Sequence, residues 1–277
     1  MNQSFSMNRW GLLMGKHWSE NRKKYTLGII AIASIMLLWY GFMILVGPGL
    51  DKDVQAPTYF VGLFIIGCIY GSLLFADLAE RTRGISYLSV PASHLEKVLC
   101  NLFFGVLIFF VAYLAIFYIV TPPMMAISNA VRETKWKAEG AGYPFVKFEL
   151  VNVFKFGKGK GEDLFYGLHL AYFAIQSAFI LGSVYFSRFS FIKTVIVALL
   201  LWLFLFMFVA NILSAIMPDG NYFNGLTNWR LMNNGTVTNK VIMLPGWVET
   251  MVETLFKYGF APLFWVITYF RLKEKEI

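Results

Sequence analysis

"YTLGIIAIASIMLLWYGFMILV", residues 25–46, contains no charged side chain. A helix rises about 1.5 Å per residue and the hydrocarbon core of a bilayer is about 30 Å thick, so a run of this length is a membrane span. It is longer than the apolar core of a signal peptide, and no A-x-A cleavage site follows it. It reads as a retained span.

The composition extends this reading to the whole chain. Apolar residues make up 58% and charged residues 14%, whereas a water-soluble domain carries roughly a quarter charged residues. Such a chain hides apolar surface in lipid as well as in its own core. Further apolar runs cover residues 58–75, 98–120, 164–186 and 191–214. The last, "YGFAPLFWVITYF", is too short alone and is extended back to Thr254, giving 254–270. There Lys257 snorkels to the interface, and neighbouring helices tolerate Pro262. The expected fold is an all-α integral membrane protein with about six transmembrane helices over residues 25–271, an N-terminal interfacial helix and short extracytoplasmic elements.

Basic residues fix the expected orientation. Arg9, Lys16, Arg22, Lys23 and Lys24 precede the first span, and Lys52 is the lone base in the next loop. Arg81, Arg83 and Lys97, then Arg188 and Lys193, then Arg271, Lys273 and Lys275 fall on alternate sides. Both termini are therefore expected in the cytoplasm of a cell with the chain in its inner membrane. The bases of loop 121–163 run against this pattern, but most lie away from the span ends.

Outside the spans, Trp10, Leu13, Met14 and Trp18 recur at helical spacing, predicting that residues 1–24 form an amphipathic helix in the headgroup layer. Loops 121–163 and 218–253 are expected on the outer side. The first holds "YPFVKFELVNVFKF", whose partial alternation favours short strands, and the second has Asn234-Gly235 between two possible strands, a hairpin signal. "LPGWVETMVETLF" then reads as a short amphipathic helix.

Familiar chemistry is missing from the sequence. It has no P-loop, H-E-x-x-H or G-x-S-x-G motif, and Cys68 and Cys100 fit neither a disulfide scaffold nor a C-x-x-C metal site. No basic stretch is interleaved with aromatics for nucleic acid. No catalytic residue, cofactor or metal is therefore expected, and an intramembrane enzyme is disfavoured. His169 is the ionisable residue well inside a span, with Gln176 seven residues later on about the same face. An inter-helix hydrogen bond is the favoured use of the pair, ahead of a ligand or proton-relay role. Gly67 and Gly71 are read as helix packing within one protomer.

"FADLAERTRGISYLSVPASHLEKVL", residues 75–99, leaves lipid at Asp77, Glu80, Arg81 and Arg83 and makes a short helix that Pro91 stops. Ser93 and Glu96 have capping-box spacing before the third span. Residues 76–97 thus encode a short element, a stop and a restart.

The order Glu80, Gly84, Leu88, Pro91, Lys97 resembles the segment after the second span in the permeases of type-2 ABC exporters, the ABC-2 family. The six-span layout and amphipathic N-terminus are similar too. Specific residues match only over 80–97, Ile85-Ser86 depart from the common Thr-Leu, and loop 121–163 is longer than usual. The resemblance implies a permease subunit whose cytoplasmic coupling segment docks on a separate ATPase, working with a second permease copy. It implies that Glu80, Arg81, Arg83, Gly84, Tyr87 and Leu88 face the ATPase, while Pro91 and Lys97 set the geometry of the third span. The alternative is a non-transporting multi-span scaffold or assembly subunit.

Overall fold

The computed structural model describes residues 5–140, 144–155, 162–216, 221–223, 228–233, 236–243, 247, 250–251 and 254–275. Its helices are α1 (Met7–Leu45), α2 (Lys52–Leu73), α3 (Arg81–Leu88), α4 (His94–Leu102), α5 (Phe109–Ala138), α6 (Glu162–Tyr185), α7 (Ser190–Ile216) and α8 (Phe260–Glu274). A 3₁₀ turn, Ala76–Ala79, precedes α3, and π turns at Phe103–Ile108 and Leu255–Gly259 join α4 to α5 and lead into α8. Among the described residues, five helices are long and apolar enough to cross a bilayer: Met7–Leu45, Lys52–Leu78, His94–Ala138, Leu164–Tyr185 and Ser190–Phe208. The architecture is that of an integral membrane protein built from helices.

Two expectations about helix ends change. Residues 7–24 are not a helix separate from the first span: α1 is one helix of 39 residues, Met7–Leu45, that contains both. Its inward stripe of Trp10, Leu13, Met14 and His17 is half-buried, with Trp10 edge-on to Phe103 and His17 stacked on Phe104. This packing holds the start of α1 against the start of the third membrane helix. That helix also outruns its expected end at Val120: α5 continues through Pro122 and Pro123 to Ala138. A break at that depth exposes more unpaired backbone than the two missing N–H groups do.

α1 and α5 run parallel, joined by Tyr40 Oη to Thr121 Oγ1 at 3.2 Å and by Leu50 N–H donating to Ser128 Oγ at 3.1 Å. The main core lies between α1, α2, α5 and α6, where Tyr40, Tyr59, Leu63, Phe117 and Tyr172 are fully buried. Gly67 and Gly71 let α2 approach α6: a side chain at Gly67 meets Tyr172, and one at Gly71 meets the Gln176 backbone. A second core holds Phe75, Val98, Ile180, Val184 and Leu272. It gathers the ends of α2, α6 and α8 at the start of α4. Since Arg9 also reaches Glu96 there, both ends of the described chain lie at one end of the bundle. α7 leaves the bundle after the buried Thr194, and residues 196–208 are exposed on every face.

The expected strands in residues 144–155 are absent; that stretch is irregular and closes with a turn at Val153 and Phe154. Side-chain amides take the place of a neighbouring strand. Asn129 donates to Phe148 C=O (3.1 Å) and accepts from its N–H (2.8 Å). Gln55 donates to Glu149 C=O (3.0 Å) and Leu50 C=O (2.8 Å) and accepts from Val151 N–H (3.0 Å). In the other loop β1 (Asn221–Phe223), β2 (Asn228–Asn233) and β3 (Thr236–Met243) form an antiparallel sheet. Asn233 pairs with Thr236 across the hairpin; Asn234-Gly235 itself lies outside the described residues. Most of "LPGWVETMVETLF" does too.

Candidate functional site

The linker from Ala76 to Lys97 is the polar element that the fold holds between two membrane helices. The chain leaves α2, makes the 3₁₀ turn and enters α3 with Gly84 N–H donating to Glu80 C=O at 2.7 Å. α3 ends at Leu88, three residues before Pro91. α4 then starts on a complete capping box: Glu96 N–H donates to Ser93 Oγ (3.2 Å), and Ser93 N–H donates to Glu96 Oε2 (2.9 Å). The reciprocal bonds satisfy donors that a helix start leaves unpaired.

The structure divides the residues implied by the resemblance into an outer and an inner set. Glu80 and Arg83 are exposed and paired with each other at 3.1 Å. Pro91 is exposed. Gly84 is buried against the backbone of Asp77 and Leu78, so it has no side chain and no surface to offer a partner. Tyr87 turns inward: it packs on the second core, its hydroxyl accepts from Asn101 Nδ2 at 2.9 Å, and Lys97 Nζ lies 5.9 Å from its ring centroid. Lys97 is itself buried. The side chains of Arg81 and Leu88 lie outside the described set. Tyr87, Asn101 and Lys97 therefore fasten α3 to α4, and the outward face of α3 is Thr82, Arg83, Ile85 and Ser86. Ile85, 61% exposed, is an apolar knob on an otherwise polar turn.

Glu96 ties the linker to the N-terminus. Its side chain is wholly buried, and besides the capping bond it accepts from Ser6 N–H (2.7 Å) and Arg9 Nη2 (2.9 Å). It stands two residues before Val98, where the uncharged apolar run of this helix begins. Burial alone raises the pKa of this carboxyl, but the donors at Ser6, Ser93 and Arg9 outweigh it and hold the group below its ordinary value of 4.5. Sequence inspection gives Glu96 only the capping role, since nothing local links it to a residue some ninety positions away.

His169 and Gln176 do not meet each other; each bridges helices at its own level. His169 Nδ1 donates to Phe165 C=O at 2.8 Å, which leaves Nε2 to accept from Tyr59 Oη at 3.2 Å. Rings of Tyr59, Phe60, Phe110 and Phe154 surround the imidazole. Gln176 Nε2 donates to Gly105 C=O at 3.0 Å. Gly105 sits in the π turn, whose altered bonding frees main-chain groups for such a partner. Both residues are thus placed as helix-to-helix links. Cys68 and Cys100 are buried free thiols, and among the described residues no His, Cys, Asp or Glu cluster is spaced to hold a metal.

Helix content and five membrane-sized helices among the described residues define the class as a multi-span integral membrane protein. Comparison of the chain with protein-family models, curated proteins and solved structures finds no match.

Proposed function

We propose that the chain is the membrane subunit of an ATP-driven exporter of the type-2 ABC class, with Leu255–Glu274 as its sixth crossing. The observation that carries this reading is the build of α3. It is a short helix with an exposed Arg83 and Ile85, fixed from behind through Tyr87 to Asn101 of α4. A push on that knob passes to the helix that becomes the third span. The expected partner is a soluble ATPase at the end of the bundle where the described chain begins and ends. That end is cytoplasmic in this reading, and a second permease copy completes the pathway. The contacts of Arg9 and Leu272 at one end of the bundle support an even number of crossings, which returns the chain to the end where it began.

The test is a mild-detergent pull-down of the tagged chain from its native membrane, alongside the Arg83→Glu/Ile85→Asp variant. A stoichiometric ATPase that is captured by the native chain and lost by the variant, with membrane insertion unchanged, supports the proposal. Capture of membrane proteins alone, under conditions that preserve a known transporter complex, moves the scaffold reading ahead.

A further inference from the structure

At the end of the bundle opposite the termini, the last turns of α5 and the returning chain enclose a groove of about 350 Å³. Its lining includes Arg132, Lys135, Trp136, Glu139 and Phe145. Its depth follows from the helix pairing. Ser128 meets Leu50 at 3.1 Å, just past Val46, where the uncharged run of the first span ends. At 1.5 Å per residue, Arg132 lies about 6 Å and Trp136 about 12 Å beyond Ser128 along the helix. The headgroup layer adds about 5–8 Å to each side of the hydrocarbon core. Arg132 stands at headgroup level, and Lys135 and Trp136, whose side chains lean back toward the N-terminus of the helix, reach that level from the outer edge of the layer.

Its walls are held in place and chemically sorted. Arg132 lies 3.7 Å from the Phe148 ring centroid and 5.5 Å from that of Phe145, and it donates to Val146 C=O at 3.3 Å. The guanidinium is therefore oriented before anything binds. Lys135 follows three residues later, on the same side of α5. The nearby carboxylates Glu133 and Glu149 are paired with Lys137 (2.7 Å) and Lys52 (2.8 Å), so neither is directed at this groove. Trp136 stands 6.0 Å from Phe145, ring centre to ring centre, as an aromatic wall. Glu139 is an exposed carboxylate at the rim, one turn past Lys135.

Two cations, then an indole face and a carboxylate, match a group that carries an anion and an ammonium a few bonds apart. We infer that this groove binds the headgroup of a zwitterionic aminophospholipid in the leaflet opposite the termini. Arg132 and Lys135 hold the phosphate, while Glu139 and the face of Trp136 hold the ammonium. The inference does not depend on the exporter reading.

Native mass spectrometry of the full-length detergent-solubilised chain tests it, by titration with phosphatidylethanolamine and with phosphatidylglycerol of the same acyl chains. The expected result is preferential retention of phosphatidylethanolamine. Lys135→Gln lowers retention of both lipids about fivefold, the weight of one basic residue at a lipid surface. Glu139→Gln lowers retention of phosphatidylethanolamine alone. Both side chains are exposed, and circular dichroism checks that each variant keeps its helix content. Preference for phosphatidylglycerol in the native chain, or unchanged retention in both variants, overturns the inference. So does displacement of the lipid by soluble phosphoethanolamine at equal concentration, which makes the ligand a free solute.

Discussion

Replacing Glu96 by Gln keeps the shape of the side chain and removes its charge and one of its two acceptor oxygens. In the native chain Oε1 accepts from Ser6 N–H and Arg9, and Oε2 accepts from Ser93 N–H. If the amide oxygen takes the Oε1 position, its NH₂ faces the Ser93 N–H, donor against donor; turned over, it faces Ser6 and Arg9 instead. Either way one set of bonds is lost and the rest lose their charge assistance. Bonds to a buried charge contribute about 1.5–3 kcal/mol each, and breaking a buried pair costs about 3–5 kcal/mol. Arg9 is partly exposed, with 37% of its side chain open to solvent, so the lower end applies and about 3 kcal/mol is expected. At 1.4 kcal/mol per tenfold, that is about a hundredfold increase in opening of the joint.

Hydrogen exchange of the protein in nanodiscs, followed by mass spectrometry, reads this directly. Amides of the first turns of α1 and α4 are expected to exchange about a hundredfold faster in Glu96→Gln, while those of α5 beyond Phe109 do not change. The effect also has a pH signature. The folded-state pKa of Glu96 lies below its ordinary 4.5, so its contribution is complete above that value and is lost as pH falls through the lower, folded value. After correction for intrinsic exchange, the difference between native and variant chains is therefore constant from neutral pH down to about 5 and shrinks below 4.5. Equal exchange of the two chains at neutral pH would refute the claim that this carboxylate joins the N-terminal helix to the linker.

Two further perturbations follow from the packing. Gly67→Ala places a methyl group 2.5 Å from Tyr172 Cε2 in the buried α2–α6 contact, so a loss of about 1–3 kcal/mol is expected. Gly84→Ala meets nothing closer than 3.7 Å and gains up to about 1 kcal/mol of helix propensity. Thermal unfolding in detergent should separate the two, with a lowered midpoint only for Gly67→Ala. Gln55→Leu strips partners from Val151 N–H and Glu149 C=O, each worth about 1–3 kcal/mol when buried. Limited proteolysis within residues 144–155 should then run at least about tenfold faster; an unchanged rate would mean that Asn129 alone holds the segment.

The membrane helices were legible because lipid imposes a simple condition: about 20 apolar residues in a row, which composition reveals directly. Where those helices stop was not legible, because past the lipid edge tertiary contacts take over. Glu96 holds the polar start of α1 in line with the rest of the helix, and Ser128 with Asn129 carries α5 beyond Val120. The same cause defeats the strand reading of residues 144–155. Alternation reports a need for backbone partners and a buried face; here Val151 and Val153 supply the buried face, and Gln55 and Asn129 supply the partners. A Gln near the start of an apolar helix is the trace such an arrangement leaves in a sequence.

The linker shows a finer limit. Eight residues of helix make barely two turns, too few for periodicity to say which side faces in. Inward and outward positions in α3 are decided by Asn101 and Lys97, which belong to the next helix and hold Tyr87 between them. Any segment that resembles a coupling helix combines residues that build it with residues that present it, and a motif does not distinguish the two. Here Gly84 and Tyr87 build, and Arg83 and Ile85 present. Substitution at Tyr87, or of Gly84 by anything larger than Ala, disturbs the seating of α3 whatever the chain does, whereas substitution at the second pair leaves that seating intact. Arg83 and Ile85 are therefore where loss of a partner can be told apart from loss of structure.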